Sequence, residues 1–171
     1  MDRNGLWAEC GVGGMADVKS LEHISRQAVQ LFSDGHNCAQ AVLGALAPDL
    51  GLDRETAVRL ATGFGIGLSM GETCGAVSGA VLALGLAYGG GGPHGIAAKL
   101  DTYARAGEFF DAFTQVHGSL CCRKLLGCDP STPEGMLVAK TEDRFATICA
   151  GVVATAAALA AEMLTERVPS A

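Results

Sequence analysis

A chain of 171 residues, 49% of them hydrophobic, carries enough apolar material for one domain with a full core. Its 12 basic and 18 acidic residues leave a net charge of −6, and the basic ones are scattered, which argues against nucleic acid as a partner. Aromatic residues make up only 5% while glycine contributes 24 positions, a balance that suits closely packed helices better than a β-sandwich.

Residues 1–14 show no periodicity and read as a flexible tail ahead of one helical domain over 15–171. The segment from Met1 to Gly14 contains Asp2, Arg3 and Glu9 and has no continuous apolar run, so no secretory leader is expected and the chain reads as cytoplasmic. From Asp17 onward Val18, Leu21, Ile24, Ala28, Leu31 and Phe32 recur every three or four residues, one face of a helix that Asp34-Gly35 ends. Asn37, or the residue before it, can cap a second helix in which Cys38, Val42, Ala45 and Leu46 share a stripe, closed by Pro48 and Gly51. Asp53 caps a short third helix holding Val58 and Leu60.

That helix runs into a glycine-rich loop, where Gly63, Gly65, Gly67 and Gly71 allow backbone conformations and close approaches closed to other residues. From Thr73 the pattern turns helical. Gly75, Gly79 and Ala83 stand four apart and make a smooth face for another helix, or for a second copy of the chain in a homodimer. Cys74 falls in the first turn, among N–H groups without intrahelical partners. The partial positive charge there favours thiolate over thiol, and equally an anionic cluster or sulfur species.

Gly89 to Gly92 and Pro93 stop that helix and restart the chain. The next, from about His94 to Val116, brings Ile96, Leu100, Tyr103, Phe109, Phe110 and Phe113, most of the aromatic volume expected in the core. Ser119 to Gly127 reads as a short helical piece with Cys122, Leu125 and Leu126 facing inward. In the loop that follows, Ser131 stands three before Glu134, the spacing of a capping box, ahead of a brief segment. The final helix, from about Thr141 to Arg167, has a wide apolar face that includes Phe145, Cys149, Val152, Val153 and Ala156. Its most apolar part, Ala146 to Ala161, is interrupted by Thr147 and Thr155 and reads as a buried core helix, so no membrane span is expected. No run alternates strictly enough for a strand. The predicted fold is all-α, a single-domain bundle of six or seven helices around a cysteine-lined core.

Seven cysteines in a chain of this kind suit reduced thiols, metal ligands or redox groups better than a disulfide framework. Cys38, Cys74, Cys122 and Cys149 fall on inward faces, separated by 36, 48 and 27 residues, gaps that exclude a zinc ribbon with its close ligand pairs. A bundle can still bring one residue from each of four helices together, and four thiolates would suit iron with sulfide, or zinc. Buried cysteine is also a common small apolar filler, and spacing leaves both readings open. Cys121 points about 100° away from Cys122 on a helix. The roles of Cys10 and Cys128 stay open.

The stretches Gly35-His-Asn-Cys38-Ala-Gln-Ala-Val42, Gly71-Glu-Thr-Cys74-Gly-Ala-Val-Ser-Gly79 and Gly118-Ser-Leu-Cys-Cys122-Arg-Lys-Leu-Leu-Gly127, followed by Cys149 and an apolar helix, resemble the C-GCAxxG-C-C family over roughly residues 17–165. That family is regarded as redox-active on the strength of four motif cysteines. Carried across, the resemblance implies Cys38, Cys74, Cys122 and Cys149 as the metal-binding set. Cys122 is preferred to Cys121 because it directly precedes Arg123-Lys-Leu-Leu-Gly. No C-x-x-C-H run is present, so covalent haem is not expected.

The function expected is redox chemistry: an iron–sulfur cluster on the four cysteines, with amides of Gly65, Gly67, Gly71 and Gly75 tuning it, passing electrons to a redox partner protein. The rival is a metal-free thiol–disulfide protein or sulfur carrier in which Cys74 attacks and Cys38, Cys122 or Cys149 resolves. A third reading is a structural helical module with inert cysteines. Glu72 could move a proton beside Cys74 or only complement the helix start. His36 could polarise Cys38, whereas His94 and His117 are given no role. The glycine loop lacks a preceding strand and the Gly-Lys-Ser/Thr ending, which excludes a phosphate loop.

Overall fold

The computed structural model describes residues 18–90, 92 and 95–165. The expected tail with Cys10, the restart at Pro93-His94 and the end of the last helix beyond Thr165 lie outside them. Among the described residues the chain forms eight α-helices and no strand: α1 (Val18–Ser33), α2 (Cys38–Leu46), α3 (Arg54–Ala61), α4 (Gly75–Tyr88), α5 (Ile96–His117), α6 (Cys122–Leu126), α7 (Pro133–Thr141) and α8 (Ala150–Thr165). The all-α prediction holds. The count of six or seven is corrected to eight by α7, whose cap is Thr132 and not Ser131: the Thr132 hydroxyl accepts from Gly135 N–H at 3.0 Å, with Pro133 in the first turn.

The hub is α2. Ala41 through Ala47 are all buried, and the helix packs against α1, α3, α4 and α8. Asn37 caps it as expected: its side-chain oxygen accepts from Ala39 N–H and Gln40 N–H at 3.0 Å, while the Gln40 side chain accepts from Asn37 N–H at 2.9 Å. The same two side chains donate to the end of α3, Asn37 to Thr62 O at 3.0 Å and Gln40 to Val58 O at 3.2 Å. One cap thus fixes two helices and the position of Cys38, the first residue of α2.

The smooth face of α4 is used inside the fold. A Cβ on Gly79 would stand 2.7 Å from Ala39 O, so only glycine lets α4 approach α2 this closely. A homodimer would need a different surface. Two other expectations are corrected. On α5 only the second half is core: Phe109 and Phe113 are buried with ring centroids 5.9 Å apart, whereas Ile96, Leu100 and Tyr103 are exposed. The last helix is not continuous from Thr141, because Asp143 takes a left-handed φ of 51° and a π-type turn, Phe145–Cys149, precedes α8. From Phe145 to Thr165 the chain is apolar and long enough to cross a membrane by length and composition, and Val152, Val153, Ala156, Ala157 and Ala160 of that stretch are buried in the bundle.

The main core is built of Ala, Val, Leu and Phe, with Cys74 its one buried cysteine. Beside it lies a smaller apolar group of Cys122, Leu126 and Cys149, against which Phe32, Cys38, Cys128 and Phe145 pack. Cys74 thus belongs to the main core, and Cys122 and Cys149 to the smaller group beside it.

Candidate functional site

Four separate segments bring cysteine to one cavity. Cys38 opens α2, Cys74 is the cap residue of α4, Cys122 opens α6, and Cys149 ends the π-type turn before α8. All four line a cavity of about 670 Å³, whose walls include Phe32, Leu126, Phe145 and Val152. Cys74, Cys122 and Cys149 are only 3%, 7% and 6% exposed, and none of the six described cysteines is in a disulfide. His36, Lys140 and Asp143 border the same cavity. Among the described residues no three His, Cys, Asp or Glu side chains form a group able to hold a single metal ion.

The electrostatics differ from what the helix starts alone suggest. Burial pushes the Cys74 thiol up to about 11; the Ala76 and Val77 amides pull the other way, but neither completes a cap hydrogen bond to the sulfur. The expectation of a Cys74 thiolate is therefore reversed. Cys122 is pushed up to about 12, first by burial and then by the neighbouring sulfurs of Cys74 and Cys149. Cys38 rises well above an ordinary thiol, chiefly through its interaction with Cys149 and then by burial, and that same interaction lowers Cys149. Of the four, Cys149 alone is shifted toward the thiolate.

The glycine loop shapes the site from behind. Ile66, Gly67, Leu68 and Ser69 have φ of 54°, 58°, 58° and 60°, a left-handed turn that for non-glycine residues costs roughly 1–3 kcal/mol each. Gly67 is required by close approach: a Cβ there would stand 2.6 Å from Glu72 N and 2.9 Å from the Cys122 Cβ. Gly71 similarly faces Asp129. Gly75 lines the cavity, whereas Gly65, Gly67 and Gly71 are not among its lining residues.

Glu72 does not line the cavity either. Its half-exposed carboxylate pairs with Arg123, a residue the sequence had offered only as a marker for Cys122. Arg123 also donates to Gly71 O at 3.2 Å and Met70 O at 3.3 Å, and lies 3.5 Å from Asp129. Main-chain bonds complete the junction: Cys74 N–H donates to Leu120 O at 2.8 Å and Cys122 N–H to Glu72 O at 2.6 Å. Cys121 and Cys122 are told apart here, because the Cys121 thiol donates to Gly71 O at 3.4 Å while Cys122 faces the cavity. Cys128 packs beside the Cys122–Cys149 group, next to Arg144. His117 stacks on Phe113 with centroids 4.7 Å apart.

No curated protein and no solved structure matches the chain. Residues 36–163 match the family described as "Putative redox-active protein (C_GCAxxG_C_C)". The matched stretch contains all four cavity cysteines and the turn, cap and salt bridge that hold them. On that match, which spans most of its length, the chain belongs to the C_GCAxxG_C_C family of redox-active proteins.

Proposed function

We propose that Cys38, Cys74, Cys122 and Cys149 hold an iron–sulfur cluster and that the protein works in electron transfer. The observation that carries this reading is the single cavity of about 670 Å³ faced by four thiols from four segments of chain. All-cysteine ligation is the usual donor set of such clusters, and the apolar walls of the cavity suit one. When bound, the cluster would supply one-electron chemistry, and its iron would offset the thiolate charge that burial disfavours at Cys74 and Cys122. The chain's own part is to exclude water with Phe32, Leu126 and Phe145 and to present the four sulfurs from fixed helix ends.

The test is purification without oxygen, followed by iron, acid-labile sulfide and visible absorption. Iron and sulfide in the native chain, lost on substituting Cys38, Cys74, Cys122 or Cys149, support the reading. A chain that stays colourless after anaerobic reconstitution with iron and sulfide removes it.

One observation favours a second reading, metal-free thiol–disulfide exchange: Cys38 and Cys149 face the same cavity and shift each other's acidity in opposite directions. Here Cys149, the one of the four shifted toward the thiolate, takes the place of the Cys74 of the sequence-based expectation: it attacks a partner disulfide and releases one partner thiol. Cys38 then attacks the mixed disulfide, releasing the second thiol and leaving Cys38–Cys149 oxidised. Loss of two thiols together under mild oxidant, with no metal present, distinguishes it.

A further inference from the structure

We infer that Arg123 is the positioning residue of the cysteine site, setting Cys74 and Cys122 at their separation by holding a left-handed turn against the start of α6. The assignment rests on reading the four cysteines as one site.

The turn from Ile66 to Gly71 runs through three non-glycine residues in a conformation they disfavour. Within it, Glu72 N–H returns to Gly67 O at 3.2 Å, a bond that does not tie the turn to anything else. Arg123 does, beside the Cys121 thiol that also donates to Gly71 O. Its planar fork donates to two successive carbonyls of the turn, Met70 O and Gly71 O, and pairs with Glu72 just beyond them. Asp129 stands on its other side at 3.5 Å, so the guanidinium is held from both flanks. Directly under this grip the two segments exchange main-chain hydrogen bonds, Cys122 N–H to Glu72 O and Cys74 N–H to Leu120 O, around the bridge of Thr73 with Cys121. The two cysteines are thus the residues flanking a short antiparallel contact whose outer edge is closed by Arg123. Lysine cannot replace this grip, because a single ammonium on a flexible stem does not span two carbonyls and a carboxylate in one plane.

Hydrogen exchange of the full-length chain, purified without oxygen and resolved to single amides, tests the assignment. In Arg123→Gln the amides of Glu72, Cys74 and Cys122 are expected to exchange about tenfold faster or more, while those of α2 and α8 stay within twofold. Arg123→Lys recovers part of the protection. Unchanged exchange at the three amides, or a rise that spreads equally through α2 and α8, overturns the assignment. The iron content of the same wild-type preparation judges the cluster reading separately: an iron-free chain that still shows the selective loss removes the cluster and keeps the positioning role.

Discussion

Cys38 and Cys149 face one cavity and interact there, joining the first residue of α2 to the last residue of the turn that precedes α8. The interaction makes one pair out of two cysteines far apart in sequence and splits their acidities in opposite directions. In the reduced, metal-free chain Cys149 is therefore expected to alkylate first of the four at pH 8, and Cys38→Ala to slow it by removing its partner. Mass spectrometry of each labelled peptide over time reads both; equal rates at all four cysteines would count against the pairing.

Stability should fall in alkali through the same site. The folded Cys74 titrates near 11, above the ordinary thiol value of 9.0, so below about pH 9 both folded and unfolded states keep the proton. Between about 9 and 11 the unfolded chain releases it first, and stability drops by up to about 1.4 kcal/mol per pH unit for this thiol. Urea midpoints of the reduced chain from pH 7 to 11 should show the decline, and Cys74→Ala should make it shallower, leaving the part that Cys122 and Cys38 contribute.

Glycines of different surroundings should respond in opposite directions to alanine. At Gly79 the new methyl meets the Ala39 carbonyl, and the α2–α4 contact opens at a cost of roughly 1–3 kcal/mol. Gly151, in α8, has no atom within 4 Å of the added carbon, and Gly151→Ala is expected to stabilise by roughly 0.4–1 kcal/mol. Thermal or urea unfolding of the two variants checks the sign of each.

The neighbouring sulfurs at 121 and 122 should separate cleanly. Serine at 121 keeps a hydroxyl that can still donate to Gly71 O, so Cys121→Ser should retain whatever iron the native chain binds. Cys122→Ser removes a cavity sulfur and should lose it. Iron retained in both, or lost in both, would place the third cysteine differently.

Helix starts were readable from local chemistry. Asn37 and Asp53 cap where the sequence predicts, because a cap needs only a side chain and amides two or three residues on. Helix α7 escaped because it is short and its capping threonine lies one residue past the serine that fits the capping-box spacing. The sign at Cys74 was misread for a related reason: the amides at the helix start are local, whereas the burial that outweighs them comes from packing. Arg123 could not be read at all. Its partners in the turn lie 51 to 53 residues earlier, and nothing in the spacing says that a left-handed turn needs holding. That four distant cysteines share a cavity was legible only through the order of the motifs, which records an arrangement that periodicity cannot.

The contact of Gly79 with Ala39 reaches further than helix packing. Cys38 and Cys74 sit at the mouths of the two helices this contact presses together, and a Cβ on Gly75 would already stand 3.3 Å from that of Cys38. The missing methyl groups of α4 thus act as a gauge block for the chemistry above them. Interior positions with no polar atom in their side chains calibrate how far one sulfur stands from the next, so a change of a single carbon there is felt as a change in the spacing of the sulfurs.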